Sequence, residues 1–177
     1  MSKGYIKRMK KLVKLSTSDR DEFFMREALK EAEKALETGN WPVGAVIVLD
    51  GKIISRGHNK VYSTNNKIMH AEIDAIEKVA NLLSSQGCNA TLYVTYEPCP
   101  LCLGAILLNH FNRVVCGPDL DGSGSKCMIE SLPERFRNKK YNFEFDSGVL
   151  SAECETLFLQ GRPVVDNQLF QKPAQAK

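Results

Sequence analysis

Two short phrases constrain this chain more than anything else in it: HAEIDAI, from His70 to Ile76, and EPCPLC, from Glu97 to Cys102. Each opens a predicted helix, and together they supply an imidazole, a carboxylate and two thiols. Zinc favours nitrogen and sulfur ligands, and a catalytic zinc site takes three from the protein and leaves the fourth position to water. His70, Cys99 and Cys102 make three, so a fold that uses them has to bring two helix starts together. Glu72 is then left over for proton transfer. Cys99 and Cys102 are three apart and share a helix face. The positive end of the helix dipole favours their thiolate forms. Two thiolates and a neutral imidazole balance the charge of Zn2+, and a zinc so held can deprotonate a water near neutral pH.

Taken alone, C-x-x-C has two other readings, a thioredoxin-like redox couple and half of a structural zinc knot. The redox couple gives no reason for Pro98 and Pro100 or for the upstream His-x-Glu, and the knot lacks a second cysteine pair. A Glu near a helix start is ordinarily a surface carboxylate. Position i+2 of a regular helix does not share the face of position i, so Glu72 is not expected as a second ligand beside His70.

The rest of the chain predicts alternating helices and strands. Ser18, Asp19, Asp21 and Glu22 mark a helix start, and apolar spacing carries that helix from about Asp19 to Thr38, where Gly39 and Asn40 stop it. Val43 to Leu49 reads as a strand, Asp50-Gly51 as a tight hairpin turn, and Lys52 to Arg56 as the returning strand. A polar loop from Gly57 to Met69 leads into a helix from His70 to Ser85. Thr91 to Thr95 is a further strand. Proline is tolerated only in a helix's first turn, so Pro98 and Pro100 pin the next helix start near Cys99, and that helix runs to about His110. Arg113 to Cys116 is a strand, Gly117 to Cys127 a flexible loop, Tyr141 to Phe145 a last strand, and Val149 to Gln160 a last helix. Strands alternating with helices give an α/β layered domain whose sheet is covered on both sides.

One domain accounts for 177 residues. It is divided as a basic N-terminal arm over 1–17, a catalytic domain over 18–160, and a tail over 161–177 that is ordered only if it docks. Six cysteines in a chain without export features indicate metal binding and free thiols, and with no apolar run of membrane-spanning length the expected location is the cytoplasm. Lys3, Lys7, Arg8, Lys10, Lys11 and Lys14 crowd the arm, which leaves the body slightly acidic. Such an arm can add phosphate contacts to a nucleic-acid complex, or be merely solvated.

The chain resembles the cytidine deaminase-like superfamily, within it the branch of tRNA wobble adenosine deaminases and guanine deaminases. The resemblance is carried by Pro42-Val43-Gly44-Ala45-Val46, Gly57-His58-Asn59, His70-Ala71-Glu72, and Glu97 to Cys102 continuing into Leu103-Gly104-Ala105-Ile106. His-x-Glu followed by Pro-Cys-x-x-Cys is the zinc deaminase signature. The resemblance implies a three-layer α/β/α cytidine deaminase-like fold with a mixed five-stranded sheet, a homodimer, and one zinc per subunit. It implies hydrolytic deamination, with Glu72 passing a proton to the ring nitrogen and helping ammonia leave. It also implies that the Asn59 amide binds the base or the sugar of the substrate and that the Ala71 backbone meets the base edge. From its residue type alone, Asn59 reads equally well as a turn residue.

For the substrate, Gly148 to Cys154 is similar to the start of the tRNA enzymes' final helix, and the basic arm suits phosphates. Against this stand the helix ending at Leu157 to Pro163, a short loop over Gly117 to Ser125, and the acidic body. Ser63-Thr64-Asn65 and the phrase CLGAI are closer to guanine deaminases, whose tails close over a small pocket. The preferred reading is adenosine-to-inosine conversion at the tRNA wobble position. The alternative is a free nucleobase or nucleoside deaminase, of guanine first and cytosine next. A non-catalytic zinc or nucleic-acid-binding module is the distant third.

Overall fold

The computed structural model describes residues 16–86, 89–137 and 143–169. The basic arm up to residue 15, Cys88, and Tyr141 and Asn142 of the expected last strand lie outside them, as does the tail beyond Leu169.

Helix α1 (Thr17–Glu37) starts earlier than its acids suggest, because Ser16 is the N-cap: its hydroxyl accepts from the Asp19 amide at 3.2 Å. Strands β1 (Gly44–Leu49) and β2 (Lys52–His58) form the expected hairpin. Asp50 and Gly51 both have positive φ (49° and 72°), the geometry of a type I′ turn. Next come α2 (Ala71–Glu77), α3 (Ala80–Gln86) and β3 (Ala90–Val94). These are followed by α4 (Pro100–Leu108) and β4 (Arg113–Cys116). A 3-10 turn (Lys126–Ser131), a single-turn helix α5 (Glu134–Arg137), β5 (Glu144–Ser147) and α6 (Ser151–Leu169) complete the chain.

The sheet order is β2-β1-β3-β4-β5. β1 pairs antiparallel with both β2 and β3, while β3, β4 and β5 run parallel, so the sheet is mixed. β1 is buried at every position, as a central strand covered on both faces must be. Ala45, Ile47, Leu92, Val94 and Val114 face one way and pack with Ala71, Ala75 and Ile76 of α2, Leu83 of α3 and Ile106 of α4. Val46, Val48, Tyr93 and Val115 face the other way, against Phe24, Met25 and Ala28 of α1 and Cys154 of α6. Helices thus cover both sides, and the expected three-layer α/β/α arrangement is present.

Four further elements differ from expectation. The helix expected over 70–85 is two pieces, because the Val79 amide turns to the Ile76 carbonyl in a 3-10 bond at 3.0 Å. β5 lies at Glu144–Ser147, later than the strand expected at 141–145. The 117–127 segment is pinned rather than loose: the Tyr96 hydroxyl accepts from the Leu120 and Asp121 amides at 2.9 and 3.1 Å. The last helix does not stop at Gln160. It continues through Gly161 and Pro163 to Leu169, and packing explains why. A Cβ on Gly161 would run into Pro42, so the helix lies directly against the loop before β1, and Val165 is fully buried.

Candidate active site

His70 and Cys99 occupy equivalent places. Each is the N-cap of a helix, in extended backbone conformation, and neither side chain caps its own helix. Both side chains are therefore free to point forward from the helix end. Pro100 at the first helical position fixes the start of α4 at Cys99, as the two prolines require, and Cys102 follows within the first turn.

Close packing against β2 holds α2 in place. Gly57 lets the strand touch the helix, since a Cβ there would collide with the Ala71 carbonyl and the Ala75 amide. Ser55 donates to the Ala75 carbonyl at 2.7 Å. Asp74, one turn beyond His70, accepts from the His58 amide at 3.1 Å and from Lys60 Nζ at 2.7 Å, and so grips the residues on either side of Asn59. At α4, Ser125 donates to the Pro98 carbonyl from its hydroxyl (2.6 Å) and its amide (3.0 Å), while Glu97 accepts from the Lys126 amide. The 117–125 loop thereby braces the backbone just before Cys99.

The three expected ligands come together. His70 Nδ1 lies 3.5 Å from Cys99 Sγ and 3.5 Å from Cys102 Sγ, and the sulfurs are 3.7 Å apart. Tetrahedral zinc with bonds of about 2.3 Å to sulfur and about 2.0–2.1 Å to nitrogen would set these edges at roughly 3.6 and 3.8 Å. The residues present therefore fit zinc in both spacing and donor chemistry. Among the described residues they are the one group of three or more histidine, cysteine and acidic side chains arranged to hold a metal. Nδ1 is the ring nitrogen that faces both sulfurs. The hydrogen bond between the two thiols draws Cys99 down to about 4, against its burial and helped by His70. The same bond, with burial, pushes Cys102 up.

Glu72 is 4% exposed and lines the same cavity as His70 and Cys99. Burial raises its pKa above the usual carboxyl value, a shift that the nearby His70 partly opposes. The cavity has a volume of about 800 Å3. Asn59 is buried on its wall, with its side-chain oxygen accepting from the Val61 amide at 3.1 Å; it is a turn residue and a wall residue at once. Ala71 is fully buried, and the wall is formed by its neighbours His70 and Glu72.

The sequence reading did not single out Trp41, Tyr96, Asp121 or Phe158 for the site, yet all four line the cavity. Only Trp41 offered a signal, as the one tryptophan, placed directly before the Pro42-Val43-Gly44 strand start.

Residues 18–118 match the cytidine and deoxycytidylate deaminase zinc-binding region. A Bacillus subtilis protein described as tRNA-specific adenosine deaminase is 43% identical over 136 residues, 76% of this chain and 83% of the relative. A solved structure from biochemical and structural studies of A-to-I editing by tRNA:A34 deaminases superposes with a TM-score of 0.63 at 33% identity, covering 76% of this chain and 98% of the other. A guanine deaminase from Nitrosomonas europaea shares the fold, with a TM-score of 0.67 at 21% identity over 80% of this chain and 84% of its own. With the family match spanning most of the sheet and both ligand-bearing helix starts, the chain belongs to the zinc-binding cytidine and deoxycytidylate deaminase family and is a zinc-dependent hydrolytic deaminase.

Proposed function

We propose that this protein converts adenosine to inosine at the wobble position of tRNA. The observation that carries this reading is the 43% identity to a tRNA-specific adenosine deaminase, which extends over 83% of that relative. The guanine deaminase alternative has a likeness in fold in its favour.

His70, Cys99 and Cys102 would hold the zinc, which when bound supplies a Lewis acid that makes water a nucleophile at neutral pH. We assign the proton traffic to Glu72. Its burial raises its affinity for a proton, so its carboxylate can accept one proton of the attacking water and deliver it to the ring nitrogen, then take the proton of the newly added hydroxyl and pass it to the departing amine. Water adds at the amino-bearing carbon and ammonia leaves, so the overall change is adenosine plus water to inosine plus ammonia. We assign the base edge to the Asn59 carboxamide, whose orientation the Val61 amide fixes, and to the backbone at Ala71.

We further infer a homodimer acting in the cytoplasm. Ile68 (54% exposed) and, on α4, Leu101 (45%) and Leu108 (63%) present apolar surface that a second copy would cover. Cys99, Cys102, Cys116, Cys127 and Cys154 are all free thiols, which suits a reducing compartment. No described helix is long and apolar enough to cross a membrane.

The test is ammonia release by zinc-loaded protein from a wobble-adenosine anticodon stem-loop, set against free guanine, cytosine and adenine. Turnover of the stem-loop alone is expected. Glu72→Gln should lower it by about 10²- to 10⁴-fold with zinc retained. Turnover of a free base alone would replace the tRNA reading with a salvage one, and full activity of Glu72→Gln would remove Glu72 from the mechanism.

A further inference from the structure

Beyond its zinc end, the cavity is walled by a pile of three aromatic rings from three separate segments. Phe158 of α6 lies 4.8 Å from Trp41 with the planes 8° apart, and 4.5 Å from Tyr96 at 24°. Phe158 is thus covered on both faces. Tyr96 is 8% exposed, its hydroxyl tied to the 120–121 loop. Trp41 ends the pile. It is only partly buried, it lines the cavity, and Phe158 is the one ring stacked on it among the described residues.

The helix behind this wall presents a consistent face. Glu155, Phe158, Leu159 and Arg162 follow one stripe of α6, and all four line the cavity. Glu97, Asp121 and Glu155 make much of the remaining polar lining acidic, and among the described lining residues positive charge stands only at Lys67 and Arg162, both exposed. That restricts where a nucleic-acid backbone could run past the mouth. It also leaves the aromatic wall as the large neutral surface on which a flat ring could settle.

We propose that Trp41 forms a second subsite of the cavity, on which the unpaired nucleobase next to the target base stacks, with its phosphate at Arg162 or Lys67. This rests on the RNA reading above. A nucleotide drawn into the zinc end loses its stack on its neighbour, and a rigid aromatic face offers that neighbour a replacement. Stacking tolerates any base, because every base has a π-face. Phe158 and Tyr96 act behind Trp41, holding the indole in place rather than touching the strand.

Trp41 is the chain's only tryptophan, so its emission reports on this spot alone. Zinc-loaded protein would be titrated with an anticodon stem-loop already carrying inosine at the wobble position, intact or with an abasic residue on either side of it. The intact loop should quench Trp41 emission. One of the two abasic loops should lose that quench and bind roughly 5- to 150-fold more weakly. In turnover of the adenosine stem-loop, Trp41→Ala should raise KM by a similar factor, and Trp41→Phe, which keeps an aromatic face, should restore most of the loss. If the stem-loop is deaminated but the quench ignores both abasic positions, the subsite is wrong and the deaminase reading stands. If no stem-loop binds or turns over, both fall.

Discussion

At the zinc end of the cavity, His70, Cys99 and Cys102 are set by two helix starts, and each start is dictated within a few residues by an N-cap and, for α4, by Pro100. At the opposite wall, Trp41, Tyr96 and Phe158 come from the loop before β1, the segment after β3 and the middle of α6, and they meet only because the sheet and α6 are already assembled. At the zinc end short-range rules set the local geometry of each helix start and packing only brings the two starts together, whereas the aromatic wall depends on tertiary packing throughout. The two ends should respond differently to perturbation, and that difference can be measured.

The largest effect is expected at the metal. Cys102→Ala removes a buried ligand and should take bound zinc from one equivalent to near zero, with turnover falling further than for Glu72→Gln. Because the aromatic wall contains no ligand, Trp41 emission in the variant should match that of the wild type. A shifted Trp41 spectrum would show that the metal also organises the wall, and the contrast between the two ends would collapse.

The converse perturbation is Phe158→Ala. A fully buried phenylalanine costs about 3–5 kcal/mol on truncation, and Phe158 is only partly buried, so a loss of about 2 kcal/mol in urea unfolding is expected, with zinc still bound. Trp41 emission should change, since the ring stacked on it is gone. Loss of zinc from this variant would show that the wall supports the ligand cluster, which short-range rules alone would not allow.

This contrast also explains what the sequence could and could not disclose. The ligand set, the Asp50-Gly51 hairpin and the position of β4 follow from residue types at fixed spacing, and each was legible. The break at Val79 was not, because the apolar stripe of Ile73, Ile76, Ala80 and Leu83 runs on unbroken across it. Pro163 and the polar residues after Gly161 read as a tail, yet the helix continues because Gly161 seats it on Pro42 and Val165 is buried. No local pattern encodes those contacts. Phe158 could be assigned an inward direction from its helical stripe, but its partners Trp41 and Tyr96 could not be named before the sheet order was known.

Asp74 belongs to neither end: it lies on the zinc helix, yet holds the loop that carries Asn59, and this makes it a finer probe of how the ends are joined. Its carboxylate is 4% exposed and accepts from Lys60, Lys78 and the His58 amide. Burial alone would raise its pKa, but the bonds from the two lysines and the amide outweigh that and bring it below the ordinary 3.8. A carboxyl with a depressed folded-state pKa stabilises the fold above its unfolded value, and that contribution is lost as pH falls through the folded value. Asp74→Asn should therefore cost about 1–2 kcal/mol at neutral pH, a modest figure because Lys78 is 45% exposed and its ion pair is screened by water. The gap between wild type and variant, measured by urea unfolding at a series of pH values, should begin to narrow near pH 4 and close below it. A gap that stayed constant down to pH 2 would mean that shape, and not charge, is what Asp74 contributes at the junction between the zinc helix and the Asn59 loop.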